Sequence, residues 1–245
     1  MKAFNKKGCP YRLLGYNMSE RKGVKMEKLK PISIRETTFL KLRQAILDGF
    51  YKPGEKLTES KVAEMFGVSR TPIREALHRL ESEDLVKIHP RKYCEVIGIT
   101  KNCIREINLI RQQLEPLAGK IAAENITDDQ LDYLEKLLDL AEFHYSKKDS
   151  ESLIKVHDEF HKKIINISDM NKLINILENI HDYIVSFRRS FLTRENLAER
   201  SLREHREIYN ALRERDSDKV YEIYSQHLSG ISEYEDVVLD DLKQK

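Results

Sequence analysis

The chain has no tryptophan, and only three cysteines and six prolines in 245 residues. The cysteines, Cys9, Cys94 and Cys103, are an odd number with no C-x-x-C spacing. That pattern argues against a disulfide framework and against a thiolate zinc site, and it fits a reducing cytoplasm. No apolar run approaches the roughly 20 residues of a membrane span, so no membrane partner is expected. The first 30 residues hold Lys6, Lys7, Arg12 and Lys22 but no continuous apolar core, so they do not read as a secretory signal. Repeats and low-complexity segments are also missing. What remains is a composition of 34% charged and 40% hydrophobic residues, soluble and helix-rich. The length suits two domains better than one.

The net charge of +2 is unevenly spread. Residues 1–29 carry eight Lys/Arg against two Asp/Glu, and residues 30–100 carry thirteen against ten. Residues 101–245 reverse the balance, with twenty-two against twenty-nine. A basic front and an acidic rear suit a chain whose front meets phosphate. Residues 1–30 lack periodicity and read as a mobile basic tail, with Met26 a candidate start just before the ordered pattern. Residues 31–100 and 101–245 read as two further units.

In the first of these, Phe39, Leu42 and Ile46 recur at helical spacing between Ile34 and Leu47, and Gly49 and Pro53-Gly54 end that helix. A short helix follows from about Glu59 to Phe66, closed by Gly67. A third starts near Ser69 or Thr71, with Pro72 in its first turn, and reaches about Glu83. Val86–Ile88 and Tyr93–Ile97 are β-prone, with Pro90-Arg91-Lys92 as a hairpin tip. Two helices joined by a tight turn make a helix-turn-helix. On the third helix Ile73, Leu77 and Leu80 form the inward stripe. Arg70, Arg74 and His78 line another face, and Ser69 and Thr71 add hydroxyls at its start. Hydroxyls and first-turn amides favour phosphate, while Arg offers guanine a two-pronged donor. Basic Arg91 and Lys92 put positive charge on the wing.

The run Pro53-Gly54-x-x-Leu57-Thr58-Glu59, then Val62-Ala63, then Gly67-Val68-Ser69-Arg70-Thr71-Pro72-Ile73-Arg74-Glu75-Ala76-Leu77-x-x-Leu80 resembles the winged helix-turn-helix of the GntR family of bacterial regulators. The resemblance covers residues 32–97. It implies that Arg70, Thr71 and Arg74 contact double-stranded operator DNA and that the wing adds minor-groove contacts. Ser69 and Arg91 complete the expected DNA-binding set. The family's wing usually has glycine at its tip, and Pro90-Arg91-Lys92-Tyr93 has none.

After Thr100 the chain reads as helical almost throughout, with breaks near 125–127, 147–149, 168–171, 193–196 and 215–218. That predicts about six helices in an antiparallel bundle, the first kinked at Pro116. The fold class is therefore mainly α, a winged helix-turn-helix followed by an all-helical bundle. Four histidines lie on the inward stripes of three helices: His157 with His161 beside it, then His205, then His227. Singly, a His on an apolar stripe is a hydrogen-bonded core residue. Four together point to a common purpose, a metal site, since His157 and His161 are one turn apart where two imidazoles can share an ion. Arg111 also falls on a stripe, and a buried guanidinium needs an anion. Glu115, one turn away, and an effector carboxylate are both open.

This half is similar to the FCD ligand-binding domain of the GntR branch that answers organic and fatty acids. The matching pieces are Arg111-x-x-x-Glu115, Phe160-His161 with Asn171, His205-Arg206 and His227-Leu228. The resemblance implies metal ligation by an Asp four residues before the His of Phe-His, by that His, and by two later His. His161, His205 and His227 match. Position 157 is His instead of Asp, and Asp158 stands one residue, about 100°, further round the helix. His157 is expected to take the carboxylate's place. An all-imidazole set favours zinc, nickel or copper over magnesium or calcium. The resemblance further implies a homodimer on a pseudo-palindromic operator and a small organic acid as effector. A rival keeps the DNA role and makes the metal itself the signal. A di-iron enzyme is the reading from another class, on Asp158-x-x-His161 and Glu178-x-x-His181. It lacks the bridging glutamates that chemistry requires, and the chain is expected not to be an enzyme.

Overall fold

The computed structural model describes residues 33–232. The expected basic tail, residues 1–30, lies outside that range.

Helix α1 (Ile34–Leu47) starts at Ser33, whose hydroxyl accepts a hydrogen bond from the amide of Glu36 at 3.2 Å. Such a cap satisfies one of the unpaired first-turn donors. Its buried face is Phe39, Leu42 and Ile46, the period read from the sequence. Helix α2 (Glu59–Phe66) is capped by Thr58 and ends at Gly67, which takes φ 64°. That left-handed turn leads straight into α3 (Arg70–Ser82). Ile73, Leu77 and Leu80 of α3 face the core with Leu42 and Val62.

Three strands complete this half. β2 (Val86–His89) and β3 (Tyr93–Val96) form the antiparallel wing, pairing Val86 with Val96 and His89 with Tyr93. β1 (Lys56–Leu57) pairs with β3 on its other side, giving the order β1-β3-β2. Two residues are too few to display a period, so β1 left no pattern in the sequence. The tip has no glycine because Arg91 itself takes the left-handed conformation, φ 61°.

Among the described residues from Lys101 onward there are seven helices: α4 (Lys101–Asn125), α5 (Asp128–Ser146), α6 (Ser150–Ile167), α7 (Asn171–Asn179), α8 (His181–Leu192), α9 (Glu195–Glu214) and α10 (Ser217–Ser232). About six were expected. The extra break is at Ile180, which is both the last cap of α7 and the first of α8. Neither glycine nor proline marks it, so nothing in the residue types announced it. Pro116 does not end α4, which continues to Asn125. Helix α5 begins with a capping box, Thr127 and Gln130 each bonding the other's amide. No described helix is long and apolar enough to cross a membrane.

The bundle core gathers Leu134, Ile164, Ile208, Leu212 and Tyr224, all fully buried. Tyr183 of α8 belongs instead to the core of the N-terminal half, so α8 touches both. Helices α4 and α10 approach closely at Gly119. A Cβ built there would sit 3.0 Å from Tyr224 Cδ2 and 3.1 Å from Val220 Cγ1. Gly119→Val is expected to cost about 1–3 kcal/mol by overpacking. The reading is a lower urea midpoint with an unchanged slope. An unchanged midpoint would mean the seam has room to spare.

Candidate functional site

Ser69, Arg70, Thr71, Arg74 and His78 are all exposed on α3, and Arg91 and Lys92 are exposed at the wing tip. Arg74 is not a free side chain. Its Nε and Nη2 donate to Glu59 Oε1 and Oε2, both at 2.7 Å, so the first residue of α2 holds the guanidinium in a fixed plane. Ser69 caps α3 by position but makes no side-chain cap hydrogen bond, which leaves its hydroxyl for other partners. A groove of about 440 Å³ runs between α3 and the wing, lined by Thr58, Glu59, Arg74, His89, Arg91 and Tyr93 among others. Burial raises the Cys94 thiol to about 12 and the Cys103 thiol to about 11, so both stay protonated and unreactive.

In the bundle, His157 and His161 of α6, His205 of α9 and His227 of α10 come together. Their exposures are 5%, 1%, 1% and 2%. Ring centroids are 4.3 Å apart for His157 and His205, 4.7 Å for His161 and His205, and 4.9 Å for His157 and His161. His157, His161 and His205 each offer a nitrogen within 4.8 Å of the other two. His227 stands at the edge of this trio, its ring 4.9 Å from His205 and 5.5 Å from His161.

Each ring leaves one buried nitrogen without a hydrogen-bond partner: Nδ1 of His157 and Nε2 of His161, His205 and His227. Polar atoms stranded in this way are costly, and four in one place require an explanation. The opposite nitrogens of three rings are anchored. His157 Nε2 meets Ser201 Oγ at 2.9 Å, His161 Nδ1 meets Tyr224 OH at 2.5 Å, and His227 Nδ1 meets Glu204 Oε2 at 2.6 Å.

The anchors fix tautomers. Tyr224 donates its hydroxyl proton to Glu115 Oε2 at 3.2 Å, so His161 must donate Nδ1–H to the phenolic oxygen. Glu204 accepts only, so His227 donates from Nδ1. In His161, which burial keeps neutral, the stranded Nε2 then carries a bare lone pair. Desolvation, reinforced by the neighbouring cations and rings, holds His157, His161 and His205 well below the ordinary imidazole value, so these rings are neutral. Neutral imidazoles with inward lone pairs and outward N–H anchors are the donor set a borderline transition ion takes. The residues present fit such an ion.

Residues 106–230 match the FCD domain, and residues 34–96 match the bacterial regulatory proteins of the gntR family. The chain belongs to the GntR family. This GntR protein is 32% identical over 222 residues to the uncharacterized HTH-type transcriptional regulator YdhC of Bacillus subtilis (strain 168), covering 90% of this chain and 98% of that one. It is 32% identical over 192 residues to the HTH-type transcriptional repressor RspR of Escherichia coli (strain K12), covering 78% and 84%. Among solved structures, E. coli McbR/YncC matches with a TM-score of 0.62 at 28% identity, covering 86% of this chain and 98% of that one. The GntR chain is thus a transcriptional regulator whose C-terminal part is an FCD domain.

Asp158, one residue further along α6 than His157, is not a member of the histidine group. It pairs with His181 Nε2 at 2.9 Å, with Lys162 Nζ at 3.3 Å and closely with Arg188. Burial raises its carboxyl, but the His181 hydrogen bond and the Arg188 charge outweigh this and hold it far below the usual range. Arg111 is buried and donates from Nε to Glu115 Oε1 at 2.6 Å, so the nearby glutamate is its anion.

The sequence reading missed Arg188. This guanidinium is 5% exposed and has an unpartnered Nε. It lines a cavity of about 60 Å³ beside the rings, together with Glu115, Asp158, His161, Lys162 and His181. The signal was available, since Arg188 follows Ile184 by one turn and sits among Phe187 and Phe191. The unannounced break at Ile180 hid the register. Ser201, Tyr224 and Glu204 were missed as anchors because each binds a ring on another helix, and contacts between helices leave no spacing to read.

The depressed imidazoles give a pH dependence with a definite sign. Below their unfolded value near 6.5, the unfolded chain takes up protons that the folded chain refuses, so stability falls as pH drops. Each of the three rings contributes about 1.4 kcal/mol per pH unit in that range. His181, raised by its Asp158 and Asp182 partners against the pull of burial, acts only above 6.5 and with opposite sign. Urea unfolding of metal-free protein is expected to show a steep stability loss from pH 6.5 to 5.5, above the range where paired carboxylates titrate. A flat profile there would mean the rings are not buried neutral.

Proposed function

We propose that this regulator represses transcription as a homodimer. Residues 31–100 grip double-stranded operator DNA, and residues 101–245 sense a small organic acid at a transition-metal site. The single observation that carries the sensing half is the convergence of His157, His161 and His205 in the bundle, with His227 at their edge. His157, His161, His205 and His227 would hold the ion, zinc first, with nickel as the alternative. When bound, it supplies a Lewis-acid position for a carboxylate oxygen. The chain's own part is orientation. Tyr224 keeps the His161 lone pair inward, Ser201 and Glu204 hold the His157 and His227 rings by their other nitrogens, and the apolar core excludes water.

Arg188 takes the effector role that the sequence reading gave to Arg111. Arg111 already has Glu115, whereas Arg188 borders the cavity with an idle Nε–H that a carboxylate can accept from. The DNA half rests on the exposed Ser69, Arg70, Thr71 and Arg74 at the start of α3 and on Arg91 at the wing tip. Repression accords with the relative RspR, a transcriptional repressor.

Zinc titration of the metal-stripped full chain tests the ligand set. Wild type is expected to bind, and His157→Ala to weaken binding at least about tenfold. Asp158→Ala should leave the affinity nearly unchanged, since its side chain points elsewhere. A large loss from Asp158→Ala with none from His157→Ala would reverse the assignment. With zinc present, a panel of small carboxylates should raise the thermal midpoint in wild type and not in Arg188→Gln.

Base reading is tested separately. Arg74→Ala should cost about 1–3 kcal/mol on a duplex enriched by the wild-type protein, and should relax its preference at one position. A uniform loss across sequences would make Arg74 a phosphate contact instead.

A further inference from the structure

Helix α8 joins the cavity to the recognition helix through an unbroken line of charged side chains. At the cavity end, Arg188 is in close contact with Asp158, and His181 Nε2 lies 2.9 Å from the same carboxylate. The other nitrogen of His181 faces Asp182 Oδ1 at 3.7 Å. Asp182 in turn is in close contact with Arg43 of α1. Arg43 Nε donates to Glu83 Oε2 at 2.6 Å, and Glu83 is the C-terminal cap of α3.

The line ends in a clamp. Tyr183 donates its hydroxyl to the same Glu83 oxygen at 3.1 Å, and the Arg43 guanidinium stacks over the Tyr183 ring at 4.9 Å. Ser186 adds a hydrogen bond to the carbonyl of Leu47, at the end of α1. The Arg43 side chain is 7% exposed, and a buried guanidinium held between two carboxylates from different elements cannot lose one without moving. Glu83 fixes one end of the helix whose other end carries Arg70, Thr71 and Arg74.

We propose that Asp182 is a positioning residue for operator binding, the link through which a change of partner at Arg188 reaches α3. An anion in the cavity competes with Asp158 for Arg188. Asp158 then redistributes its contact with His181, His181 with Asp182, and Asp182 with Arg43, so that Glu83 resets the end of α3. For its physiological input this rests on the cavity being the sensing site.

The test is a double-mutant cycle on metal-free full-length protein, read as affinity for a duplex that the wild-type protein enriches from a random-sequence pool. Arg188→Gln mimics loss of the cavity-side partner. In the wild-type background it should change affinity about fivefold or more. In the Asp182→Asn background the same change should have less than about a twofold effect. Asp182→Glu should restore the response, which a merely structural contribution would not require. Equal factors in both backgrounds overturn the proposal, as does no response to Arg188→Gln in a protein whose helical signal is intact. If Arg188→Gln does not fold, His181→Gln enters the cycle in its place with the same expectations. Because no metal or acid is added, failure of zinc to bind wild type would end the sensing reading without touching this result.

Discussion

Four imidazoles withdrawn from water at one point are the constraint around which the helical half is organised. Each ring brings two nitrogens, and the interior offers partners for only one nitrogen on His157, His161 and His227. The unfolded chain would hydrate all of them, so folding carries a desolvation cost that the apolar core must outweigh. The same cost keeps His157, His161 and His205 neutral, which is the state in which imidazole donates a lone pair. The cost of burying these rings and the availability of their lone pairs are therefore one property.

The charged groups around the rings are matched in pairs, and each pair does a different job. Arg111 and Glu115 neutralise each other on α4, and Glu115 then orients Tyr224, which orients His161. Asp158 and Arg188 neutralise each other across α6 and α8, and Asp158 also holds His181. The first pair looks inward to the rings and the second outward to α8. Position 158, next to His157 along α6, leaves the carboxylate available to His181 and Arg188 of α8.

The sequence displayed most of this where a period or a motif repeats within one element. The stripes of α1, α3 and α6 were readable because burial recurs every three or four residues. The Gly67–Leu77 run was readable because the tight turn and α3's exposed start demand particular residues in order. Three things were hidden for physical reasons. β1 is shorter than one period. The break at Ile180 uses an ordinary residue at φ −101°, so no breaker marks it. Partners such as Ser201 and Glu204 are chosen by three-dimensional approach, which one-dimensional spacing does not encode. Of the two anions open to Arg111, the structure places Glu115 on its own helix beside it.

The wing tip shows what a missing glycine asks of its neighbours. A glycine would enter the left-handed region at no steric cost. Arg91 takes φ 61° with a full side chain, which costs an L residue roughly 1–2 kcal/mol. The pairing of β2 with β3 on either side must therefore hold the turn closed against that strain, so the shape of the tip is tied to the integrity of the ladder behind it.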